Sequence, residues 1–487
     1  MMSEIEQRLN KLFHPDSLAF IGASNKLGKW GFMVLSNLIN GGFPGSIYPI
    51  NPREEEIQGL KAYARVTDVP GIPDLAVIVV PPPAVPPVIQ ECVAKGIRAG
   101  IVITAGFAEV DGDGERLQQE MVERARSGGM ILVGPNCNGI MRPPSKLYVA
   151  MLPLFPPPGP IAVVSQSGNV ATSIARRGMK KGFGCSCFVS SGNEADLHCE
   201  DYFDYLAEDP ETKVILSYIE GFRDGKRFFE TAKRVTKKKP IIMLKAGGTT
   251  AGAKAAKSHT AAMAGSDLAF DGACWQNGVI RAKSIDELCN IGVGLMGQPL
   301  PQGRRVAILT GGGGWGVLAA DACVEAGLDV VTLPEEIIDE LDGFLPAWWS
   351  RSNPVDLVAG LRADHLWKAL ETLLGSQAID GVIVLGIMPA LSLRPPPPSA
   401  SPDVIKDRIN DLLQRIPDIF HKFMELAHQY QKPVVIASEL PFAIGELESR
   451  MAHLLGKGGY VCYPRPEDAA TVMVNLANYA QYLRSAS

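Results

Sequence analysis

The chain has 487 residues, of which 46% are hydrophobic and 20% charged, a composition that suits about three folded domains and excludes a disordered chain. Its 47 Lys and Arg against 52 Asp and Glu leave a net charge of −5, which argues against a nucleic-acid binder that works by phosphate neutralisation. The most apolar run, 75–93, is cut by Pro81, Pro82, Pro83, Pro86 and Pro87 and so does not read as a membrane span. Glu4 and Glu6 stand where a secretory leader would be basic and then apolar, so the expected location is the cytoplasm. The nine cysteines include no Cys-x-x-Cys and read as single buried thiols. His198 and Cys199 are adjacent but isolated, so no metal site is expected.

Three segments open with an apolar strand, a glycine turn and a helix. The first runs Leu18-Ala19-Phe20-Ile21-Gly22-Ala23-Ser24 into a helix over 28–39. Short strands at 46–50, 75–80, 100–103 and 130–133 follow, separated by helical stretches over 84–95 and 115–127. Parallel strands need crossovers, so this alternation predicts a parallel sheet with helices on both faces. A proline-rich stretch, 153–160, reads as a linker. A second unit begins at 161–168, with a helix over 169–178 and strands at 185–189, 214–219 and 240–245. A third begins at 305–311, with a helix over 316–326 and strands at 381–385 and 433–437; its run 394–399 reads as an exposed loop. The second and third units suggest an internal duplication, each with an Asn-containing turn downstream, at Ser190-Ser191-Gly192-Asn193 and Arg351-Ser352-Asn353-Pro354. The expected fold is α/β, three doubly wound units, with domains at 1–150, 158–298 and 303–487.

Several turns invite a phosphate. Gly22 to Gly28 fails the P-loop pattern, because five residues separate the glycines and Trp30 replaces the magnesium-binding Ser or Thr. It reads either as an anion-holding turn with charge from Lys26 or Lys29, or as a plain strand-to-helix turn. Gly311, Gly313 and Gly316 fit a dinucleotide fingerprint, but Asp329 comes too early to serve as its acidic strand end, so close backbone packing is expected instead. Ser165-Gln166-Ser167-Gly168-Asn169 gathers two hydroxyls, an amide and N–H groups at a helix start, where the dipole favours an anion; ordinary capping is the other reading. Downstream, Lys257-Ser258-His259-Thr260-Ala261-Ala262 surrounds an imidazole with small residues, and Glu220 ends an apolar strand. A carboxylate on one ring nitrogen leaves the other nucleophilic, although a histidine taken alone is more often a surface or hydrogen-bonded structural residue.

Taken in order, Gly22-Ala23-Ser24 with Gly28-Lys29, Pro49-Ile50-Asn51-Pro52, Gly134-Pro135-Asn136-Cys137-Asn138-Gly139, Ser165-Gln166-Ser167-Gly168, Gly192-Asn193-Glu194-Ala195-Asp196, Tyr218-Ile219-Glu220-Gly221 and Ser258-His259-Thr260-Ala261-Ala262 form a pattern. It resembles the α subunit of NDP-forming acyl-CoA synthetases, the ADP-forming acetyl-CoA synthetases, and more distantly that of succinyl-CoA synthetase. The resemblance implies a Rossmann-like CoA-binding domain followed by two flavodoxin-like ligase domains. It implies an acid–CoA ligase that interconverts acyl-CoA, ADP and phosphate with a carboxylic acid, CoA and ATP, through an acyl phosphate and a phosphohistidine. His259 would carry the phosphoryl group with Glu220 as its partner, and Ser165, Gln166, Ser167, Gly168, Asn169 and Asn193 would hold phosphate. Gly22, Ala23, Ser24, Lys29, Asn51, Pro52, Val80, Pro81, Ile103, Thr104 and Ala105 would surround CoA. A separate ATP-grasp β subunit, in an α2β2 assembly, would bring ADP or ATP with Mg2+. Two features depart from the pattern: Lys245-Ala246-Gly247-Gly248 has Gly where relatives carry Arg, and Asn169 stands where they have Ala. Two rival readings are a CoA-binding or regulatory protein without catalysis and an NAD-dependent oxidoreductase. Cys137 resembles a thioester nucleophile only superficially and reads as a buried turn residue.

Overall fold

In the computed structural model, residues 4–110, 112–248, 267–357, 363–386, 401–439 and 461–486 are described. The chain divides into two units, Met1–Met179 with Gly184–Ile285, and Lys180–Phe183 with Asp286–Ser487.

The first unit holds two sheets. In the first, β1 (Ser17–Ile21), β2 (Ser46–Ile50), β5 (Leu75–Ile78), β6 (Ala99–Val102) and β7 (Ile131–Val133) pair in parallel in the order β2-β1-β5-β6-β7. A two-stranded ribbon, β3 (Glu56–Ile57) with β4 (Leu60–Lys61), stands beside it. The central strands are almost wholly apolar because both faces are covered, and alternate side chains join separate cores. Leu18, Phe20, Leu75 and Val77 pack with Val34, Leu35 and Leu38 of α2 (Trp30–Asn40). Ala19, Ile21, Ala76 and Ile78 pack on the other face with Val85 and Ile89 of α3 (Val85–Lys95) and Met121 of α4 (Gly114–Ser127).

The second sheet contains β8 (Gly139–Arg142), β9 (Leu147–Ala150), β10 (Pro158–Ser165), β11 (Cys185–Ser190), β12 (Val214–Ile219), β13 (Ile241–Lys245) and β14 (Ile280–Arg281), in the order β14-β13-β12-β10-β11-β8-β9. β10 through β14 are parallel; β8 and β9 form an antiparallel hairpin on the edge strand β11. Two sequence expectations shift here. The hairpin 139–150, read with the first domain, gives its ladder to the second sheet, where β11 would otherwise expose an unpaired edge. The proline stretch read as a linker over 153–160 already belongs to β10 from Pro158, with Lys213 N–H bonded to the Pro160 carbonyl. An ion pair that no motif announced locks the hairpin down: Arg142, 1% exposed, grips Asp209 through two bonds of 2.7 Å.

The second unit carries β15 (Arg305–Thr310), β16 (Asp329–Val330), β17 (Val355–Asp356), β18 (Gly381–Leu385) and β19 (Val434–Ala437), all parallel, in the order β16-β15-β18-β19 with β17 also on β15. The glycine run 311–316 leads into a helix that starts earlier than expected, at Gly313–Ala326. Asn353, expected to mirror Asn193, instead bonds the backbone of Val306, Ile308 and Val331 and is a structural spacer between strands. The run 394–399 lies outside the described residues. The three doubly wound units of the sequence reading are thus present as one sheet each.

Candidate functional site

In an open parallel sheet, ligands settle where adjacent crossovers run to opposite faces, beyond the strand C-termini. In the first sheet that point lies between β1 and β5. β1 is followed by Gly22, whose φ of +90° and whose absent Cβ, which would lie 2.2 Å from the Val79 carbonyl oxygen, permit only glycine. Gly31 at the start of α2 is as constrained, with a Cβ position 1.9 Å from the Gly22 oxygen, so the helix start is drawn against the turn. The Ser24 hydroxyl accepts from Lys26 N–H at 3.0 Å, and Asn51 donates to the Ala23 carbonyl at 2.9 Å while accepting from Arg53 N–H. Thr104 donates to the Val80 carbonyl at 2.7 Å, tying the ends of β5 and β6.

In the second sheet the corresponding place is the end of β10 with its neighbours β11 and β12. The turn 165–169 leads into α5 (Gly168–Lys180), and Ser167 Oγ accepts from Val170 N–H at 3.4 Å. Asn138 joins turn and hairpin, donating to Thr172 Oγ1 at 3.0 Å and accepting from Met151 N–H at 3.2 Å. Gln166 bridges to β12: its Oε1 accepts the Glu220 N–H at 2.6 Å, and its Nε2 donates to Glu194 at 3.0 Å. Asn193 donates to Glu109 at 2.5 Å and to Gln118 at 3.0 Å.

These two sets of turns share one cavity of about 1260 Å³. All eleven residues expected around CoA line it, Gly22, Ala23, Ser24, Lys29, Asn51, Pro52, Val80, Pro81, Ile103, Thr104 and Ala105, and so do Gln166, Ser167, Gly168, Asn169, Asn193 and Glu220. Ser165 does not; it is fully buried and its hydroxyl closes the turn onto the Ser167 carbonyl at 2.8 Å. His259 lies outside the described residues. The sequence reading left without a role several further lining residues, among them Trp30, Arg53, Arg65, Asn136, Met151 and Leu152. Asn136 carried a signal, since it sits in the Gly-Pro-Asn-Cys-Asn-Gly signature; Met151 and Leu152 carried none.

Burial separates the acids and thiols. It raises the Glu194 carboxyl to about 7 against the lowering hydrogen bonds of Ser191 and Gln166. Burial also raises Glu109, but hydrogen bonds from Asn193 and the Gly106 N–H outweigh it and hold that carboxyl below the usual range. Burial pushes the Cys137 thiol up to about 12, and its Sγ donates to the Val102 carbonyl at 3.3 Å, so it is no thiolate nucleophile near neutral pH.

A cavity lined by a glycine turn at one switch point and by a helix N-terminus and a carboxylate at another suits a phosphorylated ligand that meets an anion. The family comparisons match these parts in order: residues 16–143 match a CoA binding domain, 158–294 a succinyl-CoA ligase like flavodoxin domain, and 306–392 a ligase-CoA domain. The class so defined is that of the CoA ligases with a doubly wound CoA-binding domain. Among relatives, the α subunit of acetate–CoA ligase [ADP-forming] II from Pyrococcus furiosus is 39% identical over 475 residues, covering 97% of this chain and 98% of the relative. The acetate–CoA ligase [ADP-forming] of Methanocaldococcus jannaschii is 42% identical over 353 residues, 72% of this chain but 49% of the relative. Among solved structures, the dinucleotide forming acetyl-coenzyme A synthetase 1 of Ca. Korarchaeum cryptofilum, in complex with phosphate and ADP, aligns with a TM-score of 0.83 at 35% identity, covering 98% of this chain and 97% of that one. The chain belongs to the family of ADP-forming acid–CoA ligase α subunits.

Proposed function

We propose that the chain carries the acyl-CoA half of an ADP-forming ligase reaction on a small carboxylic acid, with His259 as phosphoryl carrier. In the direction of ATP synthesis, an oxygen of inorganic phosphate attacks the thioester carbonyl, the C–S bond breaks, and CoA leaves as the thiol with the proton that phosphate gives up. The neutral His259 imidazole then attacks phosphorus, the carboxylate leaves, and the phosphohistidine passes its group to ADP. Ser167, Gly168 and Asn169 hold phosphate, while Ser165, Gln166 and Asn193 shape the turns around it, since the amide hydrogens of Gln166 and Asn193 already meet other residues, and Glu220 stabilises the imidazolium character that develops on His259. CoA lies against Gly22, Ala23, Ser24, Lys29, Asn51, Pro52, Val80, Pro81, Ile103, Thr104 and Ala105. The domains are read as 1–150, 158–298 and 303–487, the first lending residues 139–150 to the second sheet. ADP, ATP and Mg2+ are assigned to a separate ATP-grasp β subunit in an α2β2 assembly, in the cytoplasm. The naming of the P. furiosus relatives as α subunits supports a second component.

The observation that carries the reading is the shared cavity, in which the turn 166–169 and Glu220 face the same space as the first-sheet turns. It is tested by supplying acyl-CoA and radioactive phosphate. The chain is expected to take up acid-labile, alkali-stable label, His259→Ala to take up none while binding CoA as before, and Glu220→Gln to label about 10–100-fold more slowly. Label persisting in His259→Ala would overturn the assignment.

A further inference from the structure

Gln166 stands between two cavities, the one described above and a second of about 600 Å³ that Gln118, Arg126, Glu194, Phe222 and Arg223 help to line. Its backbone N–H bonds the Tyr218 carbonyl at 3.1 Å. Its Oε1 accepts from the N–H groups of Glu220, at 2.6 Å, and Gly221, at 3.3 Å. Its Nε2 donates to the Gly221 carbonyl at 2.9 Å and to Glu194 Oε2 at 3.0 Å. A side-chain amide has one accepting and one donating end, so its orientation decides whether the Glu220 N–H is satisfied. The flipped amide would set its oxygen against the Glu194 carboxyl oxygen and the Gly221 carbonyl and its NH2 against two N–H groups, so Glu194 and the backbone of residues 220 and 221 hold one and the same orientation.

Glu194 is itself held in place. It is 5% exposed, its Oε1 accepts from Ser191 Oγ at 2.7 Å, and its φ of +50° is uncommon for a residue with a side chain. Such a conformation persists where its surroundings over-determine it. Here Asn193 N–H bonds the Pro135 carbonyl at 2.9 Å and Ala195 N–H the Gly134 carbonyl at 3.0 Å. We infer that Glu194 is a positioning residue for phosphoryl transfer: it orients the Gln166 amide, whose oxygen anchors the Glu220 backbone and so sets the carboxylate at the cavity. The inference rests on the proposed roles of Glu220 and the turn 165–169. It holds across neutral pH, because a protonated Glu194 still accepts from Gln166 through its carbonyl oxygen and donates to Ser191, whose hydroxyl has the Ser165 carbonyl at 3.3 Å. The charged and titratable groups acting on Glu194 or acted on by it are Arg223, Cys199, Glu200 and Tyr202.

A double-mutant cycle tests this with the chain and its partner subunit, read on steady-state release of CoA thiol from acyl-CoA with phosphate and ADP present, so that every turnover passes through the phosphoryl step, with phosphate labelling in parallel. Glu194→Ala is expected to lower the rate by about tenfold with CoA affinity unchanged, and Glu194→Gln to stay within about threefold of the parent. Gln166→Ala with Glu194→Ala is expected to be no slower than Gln166→Ala alone. Multiplying effects, or a Glu194→Gln variant as slow as Glu194→Ala at an unchanged melting temperature, would overturn the inference. Should Glu194→Ala not fold, Glu194→Asp, whose carboxylate is drawn back by one methylene, takes its place in the same cycle. An unlabelled parent chain would count against His259 as acceptor, while the ratios of thiol release still decide on Glu194.

Discussion

Burying a carboxyl at residue 194 has a consequence for stability that is separate from its role at the site. Its pKa rises from the ordinary 4.5 to about 7, mainly by burial. Between those values the folded chain holds a proton that the unfolded chain has released, so this group's stabilisation is complete below about pH 4.5 and is lost as pH rises through 7. Glu194→Gln cannot ionise. Its stability relative to the parent is therefore expected to grow from pH 5 to pH 8, by something on the order of 3 kcal/mol, because all other titrations cancel in the difference. Denaturant unfolding of both proteins at the two pH values measures this, and a difference that does not change with pH would show that residue 194 keeps its charge throughout. The tight turn at residue 22 was legible in the strand–Gly–Ala–Ser sequence. The fate of Ser165 was not: a serine in an anion-binding pattern looks the same whether its hydroxyl faces the ligand or its own backbone.

Among elements, the hairpin of β8 and β9 joins the cavity to the second sheet, since Asn138 and Met151 at its two ends bond each other and line the cavity. Its anchor is the Arg142–Asp209 pair, with Thr212 Oγ1 donating to Asp209 at 2.6 Å and Arg142 donating to the Ser186 carbonyl at 3.1 Å. Removing one partner strands a buried charge. Arg142→Met alone is expected to cost about 3–5 kcal/mol, and adding Asp209→Leu to recover much of that loss. Thermal or denaturant unfolding of the single and double variants gives the comparison; a double variant less stable than the single would show that hydrogen bonding, not the unpaired charge, dominates. Element types and most strand bounds followed from apolar runs between glycine turns. Sheet membership of residues 139–150 did not, because an antiparallel hairpin has the same residue pattern on whichever edge accepts it.

For the whole molecule, the described residues of the first unit gather on one cavity the turns proposed to hold acyl-CoA and phosphate. The reaction also needs a nucleotide, which the proposed function assigns to a partner. The purified chain is therefore expected to form no ATP from acyl-CoA, ADP and phosphate, and to do so once an ATP-grasp subunit is added. A luciferase assay with and without that subunit decides the matter, and steady ATP formation by the chain alone would remove the need for a partner.

The sequence by itself determined the fold class, the order of the three doubly wound units and the family, because each depends on local signals: apolar strands, obligatory glycines and motifs of a few consecutive residues. Through the family resemblance it also named many, though not all, of the residues that gather on the cavity, which lies at strand ends as a doubly wound sheet requires. Only the tertiary structure decided that the hairpin 139–150 completes the second sheet, that Arg142 finds Asp209 and that Gln166 stands between Glu194 and Glu220. Arg142 and Asp209 are 67 positions apart, and the two bonds of Gln166 span 28 and 54. Such partners meet through the packing of whole elements, and their side-chain types are as common on a solvated surface as in a buried network.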